Sequence, residues 1–197
     1  MKNWPRDHKI GFAALCLTFI FGVLGTMVGL FQPEVRKFLG FDGSADNLLS
    51  YQNDDKGITL KYPPNWDKQE NTNPISQEIV EFISPKESDS DTFQERLVVT
   101  IEPADMSLDE YTKLAKGEIP KLNKDANFTK EDNYTLADKG GYMVVYTSSD
   151  GKDKLKKMEV WTLKNYQAYS ITYIADLDKF DKFLPTAEKI IKSLQIN

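Results

Sequence analysis

The sequence predicts an α+β fold: an antiparallel sheet with a helix on each side, or both on one, preceded by one transmembrane helix. Three observations predict it. Ile10 to Phe31 is a 22-residue run without a charge, and roughly 20 apolar helical residues cross a bilayer core. Beyond it, short apolar-polar alternations follow one another across turn residues, the tempo of an antiparallel meander rather than of βαβ units. The chain closes on Phe180, Phe183, Leu184, Ala187, Ile190, Ile191 and Leu194, which share one helix face.

The apolar run reads as an uncleaved anchor. It exceeds the ~7 to 15 residues of a signal-peptide core, and no small-x-small cleavage site follows it. Cys16 lies deep inside the run behind Leu15, which is wrong for a lipoprotein signal. A buried globular helix would carry polar punctuation on one face, and this run has none. Lys2, Arg6 and Lys9 precede the span and Arg36 and Lys37 follow it, which favours an N-in, single-pass orientation. Gly22, Gly25 and Gly29 include a Gly-x-x-x-Gly spacing that lets membrane helices pack, either two copies of this chain or this chain and a larger complex. Glycine is also simply common in membrane helices.

The organisation follows: residues 1–9 as a cytoplasmic N-terminus, 10–32 as the membrane helix, 33–50 as a linker and 51–197 as one folded domain. Gly40 to Ser44 breaks any helix within the linker. The first 50 residues hold five basic and four acidic residues, leaving 20 basic and 26 acidic, net −6, of chain totals of 25 and 30. A mildly acidic domain without a basic stripe argues against nucleic acid. The single His and single Cys, His8 and Cys16, both precede the domain. Disulfides, Cys or His nucleophile-base pairs and Cys/His zinc sites are therefore excluded from it.

Within the domain, Ile58 to Tyr62 is the first predicted strand, stopped by Pro63-Pro64, with Trp66 folding back as an apolar plug. Ile79 to Ile83 and Arg96 to Glu102 follow, separated by the polar, acidic stretch Lys86 to Thr92, read as an exposed loop. Ser107 and Glu110 form a capping box. The helix behind it carries Leu108, Tyr111, Leu114, Ala115 and Leu122, with Gly117 and Pro120 predicting an end or kink near Glu118. Asn127 to Leu136, Gly141 to Ser148, Lys156 to Leu163 and Ala168 to Ala175 are strands, with turns at Asp150-Gly151 and Asn165. Pro185 predicts that the regular part of the closing helix begins near Leu184.

Ile58-Thr59-Leu60-Lys61-Tyr62-Pro63-Pro64-Asn65-Trp66 resembles the opening of PsbP-like domains. Phe82 to Pro85, Ile101 to Pro103, Gly141-Tyr142, Tyr169 to Tyr173, Phe183 and Ile191 to Leu194 fit the same pattern, so the resemblance covers about residues 51–197. It is closest to the PsbP-related domains of cyanobacteria, including those that follow a membrane span in some Ser/Thr kinases. No kinase motif occurs here. The resemblance implies an α-β-α sandwich, an antiparallel sheet sandwiched by helices, located in the thylakoid lumen or periplasm. It also implies a non-enzymatic, membrane-anchored accessory module that docks on, or assists assembly of, a photosynthetic membrane complex. An extracytoplasmic ligand- or cation-sensing domain is the alternative.

The chain offers two kinds of candidate site. Acidic clusters stand at Asp54-Asp55, Glu87/Asp89/Asp91, Glu131-Asp132 and Asp176/Asp178/Asp181. Asp89-Ser90-Asp91 lacks the Gly and closing Glu of a calcium loop, so solvated loops are the preferred reading of such clusters over a cation site. The aromatics Trp66, Tyr142, Tyr146, Trp161, Tyr166, Tyr169 and Tyr173 fit either a ligand groove or the sheet core. No catalytic residue, cofactor or metal ligand is expected. Asn127 and Asn133 each open a glycosylation sequon, without meaning in a bacterium.

Overall fold

A computed structural model describes residues 47–197 apart from 74, 75 and 124. The apolar run, with Gly22, Gly25 and Gly29, lies outside the described residues. Among those described, no helix is long and apolar enough to cross a membrane.

Seven antiparallel strands form the main sheet. They are β3 (Asp67–Glu70), β4 (Glu78–Ile83), β5 (Arg96–Pro103), β6 (Asn127–Leu136), β7 (Lys139–Asp150), β8 (Asp153–Lys164) and β9 (Gln167–Asp176), in the spatial order β3-β4-β5-β9-β8-β7-β6. A smaller sheet is built from β1 (Leu49–Asn53), β2 (Ile58–Tyr62) and the two-residue β10 (Gln195–Ile196), in the order β1-β2-β10. Helices α1 (Leu108–Leu122) and α2 (Phe180–Lys192) complete the domain. This is the α+β, antiparallel, two-helix domain that the sequence predicts. The sequence reading has no counterpart of β1, β3 or β10, which are short.

The β6 to β9 meander follows from its turns. β6 meets β7 through Ala137-Asp138, and β8 meets β9 through Asn165-Tyr166, with positive φ at all four residues. Such two-residue turns match the twist of the flanking strands. Gly151, at φ +61°, opens the β7–β8 turn. Gly141 has a different role: a Cβ there would overlap the Trp161 carbonyl oxygen on β8.

Each face of the sheet has its own core. On one face, Leu97, Val99, Met143, Val145, Met158, Val160, Ile171 and Tyr173 pack with Ile58, Leu60 and Tyr62 of β2 and with Phe180, Ala187, Ile190 and Ile191 of α2. On the other, Val144, Tyr146, Trp161 and Ala168 pack against Tyr111 and Ile119 of α1. Period-two alternation assigns β8 residues to the two cores in turn. Covering both faces explains why β8 is buried without a break from Lys157 to Thr162.

Two helix expectations need correction. Helix α1 continues through Pro120 to Leu122, because a proline in the last turn removes only one hydrogen bond. Its buried residues are Tyr111 and Ile119, while Leu114 points outward. Helix α2 begins at Phe180, not near Leu184. Pro185 stands on an exposed position of the helix, and its missing N–H removes only the one bond to the Asp181 carbonyl. The capping box at Ser107 and Glu110 is present as predicted.

Candidate functional site

The acidic clusters are the first candidates, and lysines meet several of them. Lys179, just before α2, reaches Asp91 Oδ1 at 2.5 Å and Glu87 Oε2 at 3.3 Å, and Lys182 also pairs with Glu87. The Asp91 side chain is only 2% exposed. The stretch from Lys86 to Thr92 is therefore pinned onto α2 through these two acids, although most of its residues remain exposed. Glu131 pairs with Lys116 of α1 and accepts from the Tyr142 hydroxyl at 3.3 Å. Asp181 pairs with Lys156 at 3.3 Å. Asp176 Oδ1 accepts from the Asp178 amide at 3.0 Å in the turn before α2. Asp54 accepts from Gln52 Nε2 at 2.6 Å in the β1–β2 hairpin. Among the described residues, no three His, Cys, Asp or Glu converge to hold a metal.

The aromatics divide between the two cores and do not line one groove. Trp66 and Tyr169 are buried with the α2-side core, where Tyr173 also stacks on Phe180 at 4.9 Å and donates to its carbonyl at 3.0 Å. Trp161, between Tyr111 and Tyr142, donates from Nε1 to Thr112 Oγ1 at 2.9 Å on the α1 side. Tyr146 is buried beside it. Tyr166, at 77% exposed, sits at the tip of the β8–β9 hairpin, where its carbonyl accepts from the Ala104 amide at 2.8 Å.

Sequence reasoning missed a buried polar network under the C-terminal end of α1. Lys157 and Glu159 alternate with Met158 and Val160 on β8 and face α1. Lys157 is 3% exposed and Glu159 6% exposed. Lys157 Nζ donates to Asn123 Oδ1 at 3.0 Å and lies 5.7 Å from the centre of the Tyr146 ring. The Tyr146 hydroxyl donates to Glu159 Oε1 at 2.5 Å. Burial lowers the Lys157 pKa, against the opposing pull of Glu159, Asp150 and Asp125. Burial likewise raises that of Glu159, against its bonds to Tyr146 and the charge of Lys157. Tyr146 is raised by the same burial and by the Glu159 carboxylate. The available signal was position: a charged pair in a strand with strong strands on both sides and a helix over each face must be buried.

Two surface depressions frame the β6 edge. One, of about 420 Å³, lies between α1 and the sheet and is lined by Thr112, Lys116, Asn133 and Tyr142. The other, of about 450 Å³, lies between α2 and β6. Met143, Val145 and Met158 line it along the sheet, beside Tyr134, Phe180 and Leu184. Its rim carries Lys130, Asp132 and Glu188 together with the Lys156–Asp181 pair.

No family model matches the chain, and no curated protein sequence matches it. Solved structures do. Cyanobacterial PsbP from Synechocystis sp. aligns over 88% of this chain and 99% of its own, at 16% identity and a TM-score of 0.61. LpqN, involved in cell envelope biogenesis of Mycobacterium tuberculosis, aligns over 77% and 91%, at 14% identity and a TM-score of 0.56. A Pseudomonas aeruginosa protein of unknown function, described as a putative regulator, aligns over 75% and 95%, at 11% identity and a TM-score of 0.53. At these identities the likeness establishes a PsbP-like fold and nothing finer.

Proposed function

We propose that this chain is a non-catalytic, membrane-anchored accessory module that holds its PsbP-like domain outside the cytoplasm and docks on a membrane protein complex. The observation that carries the reading is the groove between α2 and β6. It is a depression walled by the half-buried Tyr134 and Leu184 over the buried Met143, Val145 and Met158, bordered by mixed charge, and its shape suits a single apolar side chain presented by another protein. The anchor is read from the charge-free run Ile10 to Phe31. The involvement of LpqN, one of the structural neighbours, in cell envelope biogenesis is compatible with work at a membrane. The cation-sensing alternative draws less support, since lysines occupy Glu87, Asp91, Glu131 and Asp181.

The test is recovery of the tagged full-length chain from solubilised membranes, with identification of what accompanies it. One defined set of membrane proteins should co-purify, and Leu184→Asp in the groove should release that set while leaving the circular dichroism unchanged. Recovery of the chain alone in several detergents overturns the reading.

A further inference from the structure

Four strand edges end the two sheets, and three are blunted. β3 has four exposed residues, three of them charged. β6 carries Lys130, Glu131 and Asp132 and a register shift between Phe128 and Lys130. β10 is two residues long, and the Ile196 carbonyl accepts from Lys164 Nζ at 2.8 Å. Short edges, edge charges and bulges are the devices that stop sheets from pairing with other chains. β1 has none of them. Its sequence, Leu49-Ser50-Tyr51-Gln52-Asn53, has no charge and no proline, and its five-residue register with β2 is unbroken.

The direction of its free backbone groups follows from β2. The Lys61 amide donates to Ser193 Oγ at 2.8 Å, and the Lys61 carbonyl accepts from that hydroxyl at 3.2 Å. Lys61 therefore points its backbone away from β1. Thr59, paired with Gln195 of β10, points the same way. By alternation, Leu60 and Tyr62 bond to β1, through Tyr51 and Leu49. Ser50 and Gln52 are left with outward amides and carbonyls, and no described residue pairs with that edge.

We propose that β1 pairs antiparallel with β1 of a second copy, about a two-fold axis through Tyr51. Ser50 of one copy then faces Gln52 of the other, twice, and every outward amide meets an outward carbonyl, giving four hydrogen bonds between the copies. Leu49, 45% exposed, comes to lie against Asn53 of the second copy. The occupant follows from the uncharged edge: its outward groups match those of an identical strand, as on any antiparallel edge, and here the match brings no like charges together, unlike the charged edges of β3 and β6.

Such an interface is smaller than the ~1,000 Å² that a stable complex in free solution needs. It forms when two copies share a membrane and their effective concentration is high. In that respect it rests on the membrane-anchored reading above.

Two cysteine variants test the pairing in the full chain, both in a Cys16→Ser background. Ser50→Cys and Gln52→Cys are co-expressed and their membranes oxidised. An opposed pair has Cα atoms about 5.5 Å apart, within disulfide range. The mixture should give at least about fivefold more linked dimer than either variant alone. Ser50→Pro removes an outward amide without touching the β2 ladder. It should keep the Tm and lower, about fivefold, the FRET between copies labelled at their amines with donor and acceptor and mixed in vesicles. Equal linkage in all combinations, no linkage, or an unchanged signal with Ser50→Pro overturns the proposal. Linkage of Gln52→Cys to a different membrane protein also overturns it and assigns the edge to that protein. If instead the full chain is found in the soluble fraction, the anchored reading fails, whatever β1 does.

Discussion

Replacing Lys157 with Met removes a cation from beside a buried carboxylate. In the native domain the Lys157 ammonium donates to Asn123, and Glu159 is held by the Tyr146 hydroxyl. Met has a similar length but no charge, so an ionised Glu159 then stands buried beside an apolar side chain. Breaking a buried pair from one side costs about 3–5 kcal/mol. Glu159 escapes part of that cost by binding a proton, because burial has already raised its pKa above the ordinary 4.5. The sign follows from linkage. A carboxyl with a raised folded-state pKa contributes stability that is complete below the unfolded value. That contribution is lost as the pH rises through the folded value. In Lys157→Met the folded value rises further, so the loss relative to native should reach about 3 kcal/mol near pH 8 and shrink below pH 5. Urea unfolding followed by tryptophan fluorescence at several pH values measures this, since Trp161 is buried on the same face. The double variant Lys157→Met/Glu159→Gln should recover to within about 1 kcal/mol of native and lose the pH dependence. A loss equal at pH 5 and pH 8, or no recovery in the double variant, would refute this account.

Three further outcomes are expected. Gly141→Ala places a methyl group against the Trp161 carbonyl across the β7–β8 pair; the backbones must separate, and thermal unfolding should register a loss of about 2–3 kcal/mol. Lys179→Met leaves the buried Asp91 carboxylate without its cation and weakens the hold on Glu87; stability should fall by about 1–3 kcal/mol, and limited proteolysis should cut faster between residues 86 and 92. Tyr166→Gly relieves the left-handed backbone at φ 61°, a strain of roughly 1 kcal/mol partly offset by glycine's unfolded-chain entropy, so the Tm should rise, corresponding to about 0.5 kcal/mol.

The sequence by itself determined the features that depend on near neighbours. Strand alternation at Ile58 to Tyr62 and Ala168 to Ala175, the turns at Asp150-Gly151 and Asn165, the Ser107–Glu110 box and the apolar face of α2 are all local patterns, and each stands where it was read. They sufficed for the fold class. Tertiary structure decided what those elements meet. The order that sets β9 between β5 and β8 is a matter of pairing at a distance. So is the Lys182–Glu87 contact, across 95 residues, which turns part of an acidic loop into a pin. Leu114 could not be placed outside or Ile119 inside until α1 had a sheet beneath it. Lys157 and Glu159 read as ordinary strand charges until both faces of β8 were covered. β1 became a strand because β2 lies alongside it, and its outward edge became visible only once Ser193 was seen to take the far side of Lys61. The physical reason is range. Periodicity and turn chemistry act over a few residues, whereas burial, charge pairing and edge exposure are properties of surfaces assembled from distant ones.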